Sequence, residues 1–129
     1  MEFIDSLIGA RLVSIDENKM VIKRYEGYNG REEKEYTFEI IQNEGDCCGF
    51  NEVNAKLLCE EGALIGVTNV SVCKGETDDE SYCTITLFGE YKPIAMLSSR
   101  SSSGSGYQYG AYVKIKCKPL DIDEFITAW

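Results

Sequence analysis

Two adjacent cysteines are the side chains of this sequence best suited to chemistry. They stand in Gly45-Asp46-Cys47-Cys48-Gly49-Phe50. Vicinal thiols can close a disulfide on each other or offer two thiolates to a soft metal. In an extended strand, however, neighbouring side chains point to opposite faces, so such a pair seldom holds one ion. A tetrahedral zinc site needs two further ligands, and no Cys-x-x-Cys spacing supplies them. Asp46, Cys47 and Cys48 are therefore read as structural or redox residues, and no metal ligand is assigned. Cys59, Cys73, Cys83 and Cys117 stand singly in apolar patterns. A free cysteine in that setting behaves as a small buried hydrophobe.

The chain contains no histidine. Ser-His-Asp and Cys-His nucleophile pairs, helical His-Glu-x-x-His zinc sites and any imidazole acid–base step are thereby excluded. No glycine-rich phosphate loop opens a helix, and nothing in the order of the acids singles out a catalytic carboxylate pair. The balance points to a protein that binds without catalysis and carries no cofactor. A second candidate site is residues 98–110 (SSRSSSGSGYQYG). This stretch is too polar and glycine-rich for a core strand and reads as an adaptable loop between the last two strands. Arg100, Tyr107 and Tyr109 are the residue types that dominate binding hot spots, here set on a Ser/Gly frame. The alternative is a hairpin tip with no partner.

Sheet is the element that must position these residues. In residues 81–88 (SYCTITLF), Cys83, Ile85 and Leu87 fall on one face and Tyr82, Thr84 and Thr86 on the other. In residues 111–117 (AYVKIKC), Val113, Ile115 and Cys117 oppose Tyr112, Lys114 and Lys116. That alternation is the mark of a sheet with one buried face. Residues 19–25, 34–41 and 93–98 also have β character, with turn signals between the runs. Residues 51–61 (NEVNAKLLCEE) are expected to form a helix, with Val53 and Leu57 one turn apart and Gly62 as the stop. Residues 119–129 (PLDIDEFITAW) are expected to form a second, entered at Pro119. Its core-facing stripe would be Leu120, Ile122, Phe125, Ile126 and Trp129. The expected fold is α+β: a mostly antiparallel sheet of five to seven strands with one or two short helices.

A length of 129 residues suits one domain. Within it Leu7-Ile8-Gly9 leads to Val13-Ser14-Ile15, and Leu64-Ile65-Gly66 leads to Val70-Ser71-Val72 at the same offset. This repetition suggests an internal duplication, with halves 1–57 and 58–118 followed by the C-terminal segment 119–129.

Twenty-two acids against 13 bases give a formal charge of −9. That sign disfavours direct nucleic-acid binding and anionic membranes, because affinity for either rests on Lys and Arg. The acids are scattered and mixed with bases, which argues for solubility rather than for mimicry of DNA. No basic-then-apolar leader and no membrane-length apolar run is present, so reduced thiols in a cytoplasm are expected.

The segments Leu7-Ile8-Gly9, Asp46-Cys47-Cys48, Leu64-Ile65-Gly66 and Ser105-Gly106-Tyr107-Gln108-Tyr109 together resemble a family of small uncharacterised proteins found largely in bacteriophage genomes. They spread over most of the chain, and the tail after Cys117 departs from the pattern. The resemblance implies a phage origin and a host cytoplasm but no mechanism. Three functions stay open on this reading. One is a phage-type accessory or anti-defence protein that inhibits a host component by stoichiometric binding. The second is a protein that binds or sequesters a small anionic ligand, such as a nucleotide signal. The third is a cysteine-based metal or redox protein. Exposed strand edges also allow a homodimer.

Overall fold

In the computed structural model, residues 1–26, 32–44, 50–59, 65–78, 80–90, 92–102 and 111–128 are described. Asp46, Cys47, Cys48, Tyr107, Tyr109 and Trp129 lie outside these residues.

The N-terminal residues form a five-residue helix, α1 (Phe3–Leu7), which buries Phe3, Ser6 and Leu7. The chain then turns at Gly9, whose φ of 85° suits glycine. A meander follows: β1 (Arg11–Ile15), β2 (Lys19–Glu26) and β3 (Glu32–Asn43). The β1–β2 turn is closed by Asp16, whose carboxylate accepts the Asn18 and Lys19 N–H groups at 2.7 and 2.9 Å. Next come β4 (Phe50–Leu57) and the short β5 (Ile65–Gly66). A second meander contains β6 (Asn69–Glu76), β7 (Glu80–Phe88) and β8 (Pro93–Ser102). The chain ends with β9 (Tyr112–Cys117), a 3-10 turn (Lys118–Leu120) and β10 (Ile122–Ala128).

The described strands make two antiparallel sheets. Sheet A has the order β10-β9-β3-β2-β1-β5, and sheet B the order β4-β8-β7-β6. The protein is thus mostly antiparallel β with one short helix. Ten described strands stand where five to seven are expected from sequence; three of them, β4, β5 and β10, are not among the expected runs, and β4 and β10 lie where helices are expected. In residues 51–61, Asn51, Val53, Ala55 and Leu57 are partly buried while Phe50, Glu52, Asn54 and Lys56 face solvent. That is period two, not 3.6. The i, i+4 spacing of Val53 and Leu57 fits both periods, and pairing of the whole of β4 with β8 selects the strand. In residues 119–129, Lys118–Leu120 makes a single 3-10 turn that ends at Asp121 in the left-handed region (φ 54°). Ile122 then pairs back on Cys117, so the segment runs as β10 along β9.

The two meanders are connected alike. The first, β1-β2-β3, is extended beside β3 by β9, which belongs to the second half of the chain. The second, β6-β7-β8, is extended beside β8 by β4, which belongs to the first half. β4 thus joins the sheet of the second meander and β9 that of the first. The repeated segments also meet each other: β5 pairs with β1 through Arg11↔Gly66 and Leu12↔Ile65. The Val67 N–H donates to the Ala10 carbonyl, and the Gly9 N–H to the Val67 carbonyl, each at 2.8 Å. Ala10 and Val67 hold equivalent places in the two repeats. β5 and β10 extend sheet A beyond the two sets of four strands.

The inner faces of the sheets share one core. Leu7, Ile22, Phe38, Ile94, Val113 and Ile115 are all wholly buried in it. Phe3 of α1 meets Phe38 of β3 edge to face, with centroids 5.3 Å apart. Among the described residues no helix is long and apolar enough to cross a membrane.

Candidate binding surface

β8 runs through Ser102, so Ser98 to Arg100 belong to a strand, not to the loop expected from sequence. Serine at alternate positions hides the pattern, since Ser99 and Ser101 are buried polar residues rather than apolar ones. Their hydroxyls are satisfied across the core. Ser99 Oγ lies 2.7 Å and Ser101 Oγ 2.8 Å from Thr127 Oγ1 of β10. Ser101 donates to Asn51 Oδ1 at 2.7 Å, and Asn51 Nδ2 donates to the Asn43 carbonyl at 2.7 Å. Each hydroxyl has one proton. The direction therefore follows: Ser99 donates to Thr127, Thr127 to Ser101, and Ser101 to Asn51. This chain of bonds ties β10 of sheet A to β8 and β4 of sheet B.

The same alternation turns Arg100 outward. Its neighbours across the ladder are Glu52 on β4 and Tyr82 on β7. The guanidinium donates to Glu80 through Nη2 at 2.5 Å and Nε at 3.2 Å, and lies 3.7 Å from Glu52. The hydrogen bond to Glu80 holds its pKa above the ordinary arginine value. Two carboxylates thus already face this cation.

Tyr82 is 38% exposed, and its ring lies against Gly75 of β6, where a Cβ would overlap the phenol. Beside it a groove of about 320 Å³ opens between the β6–β7 hairpin and β10. Lys74, Glu76, Tyr82 and Phe125 are among its lining residues. Phe125 is 60% exposed, although it was expected to face the core. Phe125 precedes the buried Ile126 and points outward, and a register shift between Phe125 and Thr127 turns Thr127 inward as well. Tyr112 steadies that ring edge to face at 5.3 Å. A solvent-exposed aromatic therefore comes from each sheet to one groove, with a lysine, a glutamate and the Arg100 cluster nearby.

The sequence singles out Arg100 as a binding residue type, but not Tyr82 or Phe125. Tyr82 was legible as an outward position on β7, whereas nothing in the sequence brought Phe125 beside it. Tyr107 and Tyr109, expected to act with Arg100, are outside the described residues, as are Asp46, Cys47 and Cys48. Of the single cysteines, Cys83 and Cys117 are buried, and burial raises both thiol pKa values. Cys59 is half-buried, and Cys73 is exposed on β6, contrary to its reading as a core residue. Among the described residues no group of three or more Cys, Asp or Glu is placed to hold a metal ion.

No family model, curated protein or solved structure matches the chain.

Proposed function

We propose that this is a non-enzymatic binding protein, a phage-type accessory protein of the host cytoplasm that inhibits a host protein by stoichiometric association. The observation that carries the binding role is the convergence of Tyr82 and Phe125 on one groove. Scattered exposed apolar residues are ordinary on a protein surface. Two aromatics from different sheets, flanked by mixed charge, form the compact amphipathic patch typical of a protein contact. The phage origin rests on the sequence resemblance alone, and the inhibitory role on the small size, the acidity, the absence of histidine and the Arg/Tyr-bearing stretch at 98–110.

A small anionic ligand fits this surface less well. Arg100, the cation that reading relies on, is engaged by Glu80 and Glu52, and the groove adds Glu76. A phosphate would have to displace these carboxylates before it gained a charge-assisted bond.

The deciding experiment is affinity capture from a host lysate with the native chain and with the double variant Tyr82→Ala/Phe125→Ala. A partner held in one-to-one ratio by the native chain and lost from the correctly folded variant supports the reading. Retention by both excludes the groove as the contact. If no partner is held while a nucleotide raises the melting temperature, the small-ligand function replaces it.

A further inference from the structure

We infer that β4, one of the two edge strands of sheet B among the described residues, is a homodimer interface on which a second copy of this chain docks its own β4. The two strands run antiparallel in a register centred on Asn54. The hydrogen-bond alternation of the β4–β8 ladder decides which backbone groups of β4 are free. Leu58 N–H donates to the Ile94 carbonyl at 2.8 Å, and the register runs without a shift from Leu57↔Ala95 to Phe50↔Ser102. Antiparallel ladders alternate, so the even residues of β4 direct their backbone groups to β8. Asn51, Val53, Ala55 and Leu57 then direct theirs away from the sheet. Among the described residues no strand pairs with that side.

A symmetric antiparallel partner must match outward-directed residues with one another, which restricts the twofold axis to pass beside a single residue. Centring on Asn54 places Glu52 opposite Lys56 of the second copy, and Lys56 opposite its Glu52. Val53 then faces Ala55. Phe50 faces Leu58, and these are 40% and 38% exposed. Other centres lose this match. At Glu52 or Lys56 like charges face each other, and at Val53 or Ala55 neither charge meets its opposite. Opposite-charge and apolar pairs directly across an antiparallel ladder are the favourable ones. The strand is self-complementary in charge and in apolar contact about one residue, which a solvated edge has no need to be.

The connectivity adds an independent reason. In sheet A, β9 is flanked by β10. Its counterpart in sheet B is β4, and the corresponding position beside β4 is open among the described residues. A second copy's β4 fills it and joins the two B sheets into one.

Sedimentation of the full chain tests the inference. The native protein should sediment at twice its 14.5 kDa chain mass. Lys56→Glu should weaken association by about tenfold or more, a change of about 1.4 kcal/mol. The charge-swapped double variant Glu52→Lys/Lys56→Glu should restore it, since each cross-strand pair is again of opposite sign. Independently, Asn54→Cys places one new thiol of each copy beside the twofold axis. Copper-catalysed air oxidation should join these two thiols in a disulfide between copies, detected as the linked peptide by mass spectrometry. A chain that stays monomeric, or a dimer indifferent to Lys56→Glu that gives no such peptide, overturns the proposal.

Discussion

Thr127 Oγ1 on the last strand lies 2.7 Å from Ser99 Oγ on β8, although the two strands belong to different sheets. The contact is buried on both sides, so the hydroxyls there depend on each other and not on water. Removing one leaves its neighbour with an unmet bond. Thr127→Val keeps the side-chain shape but strands the Ser99 proton, and should destabilise the fold by about 1–3 kcal/mol. Thr127→Ser, which keeps the hydroxyl, should cost less. Urea unfolding of the two variants measures the difference, and equal stabilities would mean that the hydroxyl chain contributes nothing.

The groove aromatics should behave in the opposite way. Tyr82 and Phe125 are exposed enough that alanine at either position should shift stability by only about 0.5 kcal/mol. Partner affinity should fall by about 2 kcal/mol per residue, a factor of about 30, as is typical of interface anchors. Calorimetric titration against the captured partner, alongside a thermal melt, separates the two effects.

Gly75 offers a subtler probe of the same surface. A methyl group there overlaps the Tyr82 ring, whose phenol end is free to swing because it is partly exposed. Gly75→Ala should therefore cost about 1 kcal/mol or less in stability. It should displace the ring and weaken partner binding nearly as much as Tyr82→Ala does. Unchanged affinity would show that the position of the ring is immaterial.

The buried thiols give a pH signature. Burial raises the Cys83 and Cys117 pKa values above the ordinary 9.0. As pH rises through about 9 the unfolded chain therefore loses these protons before the native one does. With fewer protons bound to the unfolded state, unfolding free energy falls as pH increases. Tyr36 acts in the same direction near its ordinary 10.0, because its hydrogen bond to Glu26 favours the protonated phenol. Stability should be full below about pH 8 and decline above about 9. Cys83→Ala/Cys117→Ala, a less stable chain overall, should show a shallower decline in denaturant melts taken across that range.

The sequence by itself determined the sheet character and much of the core. Alternation over 81–88 and 111–117 placed Cys83, Ile85, Leu87, Val113, Ile115 and Cys117 inward, and all six are buried. Such a pattern is local, because successive residues of a strand must face opposite ways. Residues 51–61 and 119–129 were not decided locally. Their apolar spacings satisfy a helix as well as a strand, and the choice fell to partners distant in sequence, β8 for the first and β9 for the second. The repeated Leu-Ile-Gly segments were visible, but not that Ile65-Gly66 would pair with Leu12 and Arg11 or that β4 and β9 would each join the other meander's sheet. Arg100 was legible as a binding residue type, yet its place on a strand and its capture by Glu80 and Glu52 came from cross-strand neighbours. The groove depends still more on tertiary structure. Tyr82 and Phe125 are 43 residues apart in the chain, and only the packing of β10 near the β6–β7 hairpin brings them together.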